Sequence, residues 1–349
     1  MGDWIDILRH ACFRIEGAVS VEDSAAGLRP WRLPHMDIAL FSPGVATRAG
    51  QPSGVRFVFR SNTPAIRIAV QIPKNADGSA MADASWTWDL RADGALACRV
   101  SQSCAEEEIR LAIPEPFGPR QERVLEVWLP SQYLPVTLAS VCINADAGCS
   151  TVEDRRRRFV MYGSSITQAK EAAGPSDTWA AIAAARNGLY LTNLGFGGQE
   201  HAEGGIARVI RDLPADVIGL CLGGNIHANS SLSARTYLPA VIDMVRIIRE
   251  KHPRTPIALF GCIYMPEEVG QKNLFGLTLD EYRAWTREAA DKLRAHGDGP
   301  IRYIHGPDLY GPDDAAQFTH DGAHPDAEGQ RLLGLRIAER VLPMLLSDA

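Results

Sequence analysis

No run of 18 apolar residues occurs in the 349-residue chain, so no helical membrane span is expected. A surplus of positive charge is missing too: 36 Lys and Arg stand against 42 Asp and Glu, for a formal net charge of -6. A basic face for nucleic acid is therefore not expected. The chain lacks any CxxC pair. Its seven cysteines, Cys12, Cys98, Cys104, Cys142, Cys149, Cys221 and Cys262, are odd in number and irregular in spacing. That excludes a zinc knuckle or redox pair and reads as free, buried thiols in a reducing compartment. Residues 1–17 show no basic stretch followed by an apolar one, so no secretory signal is expected and the expected location is cytoplasmic.

What is present suits two globular domains: 46% of the residues are apolar and 22% charged, enough for large cores without metal or disulfide staples. The two halves differ in period. Residues 1–150 carry short alternating runs such as Val55–Phe59, Ile66–Val70 and Val124–Trp128, broken by Gly, Pro, Asn and Asp. Period-two runs of this kind predict half-buried strands. Asp93-Gly94, between Ser85–Arg91 and Ala95–Val100, predicts a tight hairpin. No long helical pattern intervenes, and the expectation is an all-β, jelly-roll-like sandwich.

Residues 151–349 alternate apolar strands with amphipathic helices. The expected strands are Phe159–Tyr162, Leu189–Asn193, Val217–Leu222, Ile257–Phe260 and Ile301–Ile304. Leu238, Val241, Ile242, Val245 and Ile248 share a helical face, Thr278 and Glu281 read as a capping box, and a last helix after Pro325 carries Leu332, Leu335, Ala338 and Leu342. Such alternation predicts an α/β domain, a parallel sheet with helices on both faces. The run Arg155–Arg158 reads as a solvated linker.

In open parallel sheets, functional groups gather at the carboxyl ends of the strands. Four motifs fall there in order. Gly163-Ser164-Ser165 follows the first strand and can project a serine hydroxyl beside free backbone N–H groups; a plain strand-to-helix turn reads the same way. Asn193-Leu194-Gly195-Phe196-Gly197-Gly198-Gln199 lets backbone approach a ligand, or is simply a flexible loop; its spacing is not the GxGxxG of dinucleotide sites. Gly223-Gly224-Asn225 offers an amide donor, or a turn asparagine. Asp321-Gly322-Ala323-His324 places a carboxylate where it can orient an imidazole if the chain turns. His320 adds a metal reading, discounted because no second cluster with ligand spacing accompanies it; His201 and His227 read as satisfied polar residues.

Taken together, these four blocks make residues 159–342 resemble the SGNH hydrolases, or GDSL-type esterases. The resemblance implies a three-layer α/β/α, flavodoxin-like domain with Ser165 as nucleophile and Asp321 and His324 as base pair. It implies an oxyanion hole from the N–H groups of Ser165 and Gly198 (Gly195 being the weaker match) and the side chain of Asn225. No cofactor and no metal are implied. Two positions depart from the pattern: Ser164 replaces the usual Asp, which removes a carboxylate that could fix the loop, and Ile226 replaces the Asp after Asn225. The first half carries no motif of the family, but a sandwich before such a domain is similar to the arrangement in some two-domain carbohydrate acetyl esterases. The expected activity is hydrolysis of short acyl esters, acetyl foremost, of a small-molecule or carbohydrate alcohol. The alternatives are an acyltransferase or lactonase using the same residues, and a carbohydrate-binding protein whose hydrolase half is inert. Trp31, Trp86 and Trp88 read as core, or as aromatics for the alcohol portion of a substrate.

Overall fold

The computed structural model describes residues 3–74, 84–114, 121–131 and 134–348. Asp93 and Gly94 both adopt positive φ, 48° and 80°, and join Ser85–Ala92 to Ala95–Ser103 in the expected hairpin. Such a turn needs residues that tolerate the left-handed region, which Asp and Gly do.

That hairpin ends one of two antiparallel sheets. Its sheet runs in the order Cys149–Ser150, Arg56–Ser61, Arg123–Trp128, Ser85–Ala92, Ala95–Ser103, with Arg14–Glu16 also on Arg56–Ser61. The other runs Ser20–Ser24, Gly27–Trp31, Leu138–Asn144, Ala65–Val70, Glu108–Ala112, with Trp4–Asp6 on Leu138–Asn144. Phe57, Phe59, Trp86, Trp88 and Val127 from the first sheet and Ile66, Ile68, Val141 and Ile143 from the second form one buried cluster, which makes the pair a sandwich. Each such side chain contributes about 1.5–3 kcal/mol by leaving water. Trp86 and Trp88 are fully buried and cannot line a cleft. Trp31 is half-buried, stacked under the Arg29 guanidinium and hydrogen-bonded to Glu22.

Two expectations about this half need correction. Cys12 and Cys149 are joined in a disulfide, so they are not free thiols, and the cysteine argument for a reducing compartment falls with them. The physical reason lies in strand pairing. Arg14–Glu16 and Cys149–Ser150 lie along one edge of Arg56–Ser61, end to end, which brings Cys12 beside Cys149 across 137 residues of chain. The other five cysteines are free. A helical stretch also interrupts the strands: a 3-10 turn at His35–Leu40 and a helix at Pro43–Ala49. Both were hidden by length, since seven residues give too few turns for a helical period to show.

The chain forms two compact units whose borders differ from 1–150 and 151–349. Residues 37–48 group with the second unit, and 174–176 with the first, where Asp89 accepts hydrogen bonds from Ser176 and Arg99. Asp89 is fully buried and needs those partners.

The second unit is a five-stranded parallel sheet in the order Tyr190–Gly195, Arg158–Gly163, Val217–Leu222, Ile257–Gly261, Ile301–Ile304. With helices between consecutive strands, this 2-1-3-4-5 order is flavodoxin-like. Tyr237–Arg249 buries Tyr237, Val241, Met244, Val245 and Ile248, so the apolar face is turned slightly from the one expected, with Leu238 and Ile242 only half-buried. Helix Leu279–Ala295 starts as predicted: the Glu281 carboxylate accepts from the Thr278 N–H (2.8 Å) and hydroxyl (3.0 Å). The C-terminal pattern is two helices rather than one, Ala327–Arg340 and Leu342–Ser347, divided at Val341 before Pro343, whose ring cannot donate to the helical ladder. Among the described residues no helix is long and apolar enough to cross a membrane.

Candidate active site

The strand Arg158–Gly163 ends at Ser164, whose side chain accepts from the N–H of Ile166 (3.3 Å) and caps the short helix Ser165–Gln168. The serine that replaces the usual Asp therefore still ties this turn. Ser165 is the first helical residue. Its N–H, like those of any helix start, has no intrahelical acceptor.

Ser165 Oγ lies 2.7 Å from His324 Nε2, and His324 Nδ1 lies 2.7 Å from Asp321 Oδ2. Across 159 residues of sequence the three side chains form one hydrogen-bonded line. Asp321 and His324 meet because Thr319 and Pro325 pair across the base of the turn and Gly322 takes φ +80°. The second oxygen of Asp321 accepts from the backbone N–H groups of Ala323 (3.0 Å) and His324 (2.7 Å). Burial opposes the charge on Asp321. The N–H bonds of His324 and Ala323, with the His324 ring, outweigh it and hold the carboxyl down at about 2. An ionised Asp321 on Nδ1 puts the ring proton there and leaves Nε2 able to accept from Ser165.

Gly198 and Asn225 follow the strands on either side of Arg158–Gly163. The intervening loops are tied together. Phe196 N–H donates to Gly163 O (2.8 Å), Gly197 N–H to Gln168 Oε1 (2.8 Å), and Glu200 N–H to Asn225 Oδ1 (3.2 Å). The last bond occupies the oxygen end of the Asn225 amide and leaves its Nδ2 end for another acceptor. Among the described residues, the N–H groups of Ser165 and Gly198 and the Asn225 Nδ2 donate to no protein group. Gly195, the weaker match for the oxyanion glycine, has a different task. A Cβ there would stand 2.4 Å from the backbone of Gln168, so it is the seat of the Ser165 helix.

Three residues near these loops were not singled out from the sequence. Glu200 is buried, with Oε2 accepting from Gly223 N–H (3.0 Å) and Oε1 without a partner. Burial pushes its carboxyl well above the ordinary range, against the pull of the Gly223 and Asn225 N–H groups. Glu171 offers a carboxylate oxygen within 4.8 Å of Asp321 and His324 atoms, and its other contact is Lys170 at 3.5 Å. Asp321 and His324 already bond each other and Ser165, which leaves this cluster poorly set for a metal. Arg48 donates from Nε to Gly197 O (3.1 Å). No motif points to these three, since a lone Glu or Arg has no spacing to read.

His320 pairs with Asp326 (2.9 Å), His201 Nδ1 with Ser231 Oγ (2.9 Å), and buried His227 lies between Glu268 (2.7 Å) and Leu277 O (3.1 Å).

A flavodoxin-like 2-1-3-4-5 parallel sheet with a Ser-His-Asp line at its carboxyl edge is the arrangement of the GDSL-like hydrolases. The chain belongs to that family, in a two-domain form. The GDSL-like lipase/acylhydrolase family matches residues 161–332, and the family described as the SsfX3 N-terminal domain matches residues 13–136. Among solved structures, the salicylyl-acyltransferase SsfX3 from a tetracycline biosynthetic pathway is 30% identical, with a TM-score of 0.87 over 98% of both chains. A GDSL-like lipase from Bacteroides ovatus is 20% identical, with a TM-score of 0.75 over 99% of this chain and 97% of its own. A family two carbohydrate esterase from Clostridium thermocellum shares the fold at 14% identity, with a TM-score of 0.66 over 95% and 99%. No curated protein sequence matches the chain.

Proposed function

We propose that the chain is a serine esterase acting on short acyl esters of a sugar or other small alcohol. The observation that carries this reading is the line Ser165 Oγ, His324, Asp321, with both links at 2.7 Å. Ser165 attacks the ester carbonyl while His324 Nε2 takes its proton, and Asp321 stabilises the imidazolium. The carbonyl oxygen gains charge as the C–O bond forms. It sits among the N–H groups of Ser165 and Gly198 and the Asn225 Nδ2, donors already oriented and so needing no rearrangement. Collapse breaks the bond to the alcohol, which leaves with the proton from His324. Water then gives a proton to His324, attacks the acyl-enzyme and releases the acid, and Ser165 recovers its proton.

Glu200 is a positioning residue in this scheme. Its backbone N–H orients the Asn225 amide and its carboxyl holds the Gly223 turn. The proposal is tested with a fluorophosphonate probe and a panel of acetylated sugars and aryl esters. Wild type should be labelled and should turn over esters, and Ser165→Ala should lose both; labelling that persists in the mutant would sink the assignment.

A second reading is acyl transfer from the same acyl-enzyme to an acceptor hydroxyl. The 30% identity to a salicylyl-acyltransferase along nearly the whole of both chains favours it. Product identification with and without acceptor alcohols separates the two: free acid in both cases marks a hydrolase, a new ester marks a transferase.

A further inference from the structure

We propose that Arg48 is a positioning residue of the oxyanion hole, acting through the Gly197–Gly198 peptide group. This rests on the reading of Gly198 as an oxyanion donor. Residues 37–48 belong to the second unit although they lie more than 100 residues ahead of the rest of it. Their contacts converge on one stretch of chain, 197–205. The Phe41 ring is 3.3 Å from where a Cβ of Gly205 would stand, Ser42 Oγ is 3.5 Å from Glu203, and the Gln199 amide fills the space that a side chain at Gly44 would need. Gly44 and Arg48 are four apart on the helix Pro43–Ala49, hence on one face. From that face the Arg48 Nε donates to Gly197 O at 3.1 Å.

The carbonyl of Gly197 and the N–H of Gly198 are two ends of one planar peptide group. In a trans peptide they point in opposite directions. A guanidinium on the oxygen therefore fixes where the N–H aims. It also draws electron density toward the oxygen, which makes the N–H a stronger donor. The turn around this plane is closed by Gln199 N–H on Phe196 O (2.9 Å), but two consecutive glycines have no side chain to stop the central peptide from flipping, and Gly198 sits at φ +73° with nothing within 4 Å of a built Cβ, so a bond to the Gly197 oxygen selects one orientation. The bonds from Gly197 N–H to Gln168 (2.8 Å) and from Gln199 Nε2 to Gly198 O (2.8 Å) secure the flanking groups, and Arg48 secures the peptide between them.

The test uses full-length Arg48→Met, which keeps the apolar stem and loses the cation, and Arg48→Lys, which keeps the charge. Three quantities are compared with wild type: kcat and KM on an aryl acetate, the rate of fluorophosphonate labelling, and the affinity for a trifluoromethyl ketone that forms a tetrahedral adduct. Arg48→Met should lower kcat by about 10- to 100-fold, short of the full loss of one donor, with KM within about threefold. Labelling and ketone affinity should fall in parallel, and Arg48→Lys should recover most of each. If Arg48→Met does not fold, Arg48→Leu takes its place, with the same loss of kcat expected and KM within about threefold. Kinetics and ketone affinity within twofold of wild type in both variants would overturn the inference, as would an effect confined to KM. A wild type that neither labels at Ser165 nor turns over any ester would instead overturn the esterase reading, and this inference with it.

Discussion

Asn225 presents its amide nitrogen because Glu200 N–H holds its oxygen. Asn225→Ala should therefore lower kcat by about 100- to 1000-fold, with KM changed far less, in steady-state kinetics on any ester that the wild type turns over. Glu200→Gln should keep kcat, since the amide oxygen can still accept from the Gly223 N–H, whereas Glu200→Ala should lower it by freeing the Gly223 turn.

The same residue predicts a pH dependence of stability. Its pKa is raised on folding by burial, so the folded state keeps a proton that the unfolded state gives up. Stability is thus full below the ordinary carboxyl value and falls as pH rises toward the raised one. Melting temperatures measured from pH 5 to pH 9 should decline less in Glu200→Gln than in wild type. Asp321 has the opposite sign: with its carboxyl at about 2, what it contributes is present above the unfolded value of 3.8 and lost below. Protonation of Asp321 should therefore not limit activity until the pH falls toward about 2, which a pH profile of kcat checks. Asp321→Asn should lower kcat by about 10^4-fold through the wrong tautomer.

At the scale of elements, the two glycines Gly195 and Gly198 of the second loop block separate cleanly. Gly195 ends its strand with backbone atoms of Thr167 and Gln168 at 2.6 and 2.4 Å from a built Cβ. Those neighbours are backbone and cannot turn aside. Gly195→Ala should displace the Ser165–Gln168 helix, lowering both melting temperature and labelling rate. At Gly198 only the positive φ opposes a side chain, and Gly198→Ala should cost about 1 kcal/mol of stability. Thermal melts of the two variants distinguish a glycine needed for space from one needed for conformation. Element boundaries matter in the same way for the helix after Pro325. Its expected face missed Leu333 and Ile337, because the pattern was read as one helix through Leu342, whereas the chain breaks at Val341 into Ala327–Arg340 and Leu342–Ser347.

At the scale of the molecule, the disulfide between Cys12 and Cys149 closes a span of 137 residues around the sandwich. Removing it with Cys12→Ser should cost about 2–4 kcal/mol in denaturant unfolding, mainly because the unfolded chain regains freedom. A thiol-reactive chromophore in denaturant should count five thiols before reduction and seven after. A chain beginning at residue 151 would lack residues 37–48, and with them the bond from Arg48 to Gly197. It should therefore be less active on a small acetate than the full chain.

Sequence alone determined the two periods and hence the two architectures, the five parallel strands, the hairpin at Asp93-Gly94 and the order of the four loop blocks. All of these are local: a strand or turn declares itself within a few residues, because side-chain period and φ preference act along the backbone. Asp321 and His324 were legible for the same reason, being three apart. Tertiary structure decided what depends on distant segments meeting: the pairing of Cys12 with Cys149, the burial that raises the Glu200 carboxyl, the Glu171 carboxylate beside His324, and the Arg48 bond to Gly197. Distance along the chain leaves no periodic trace, and the charge state of a carboxyl is set by the solvent that folding removes from it.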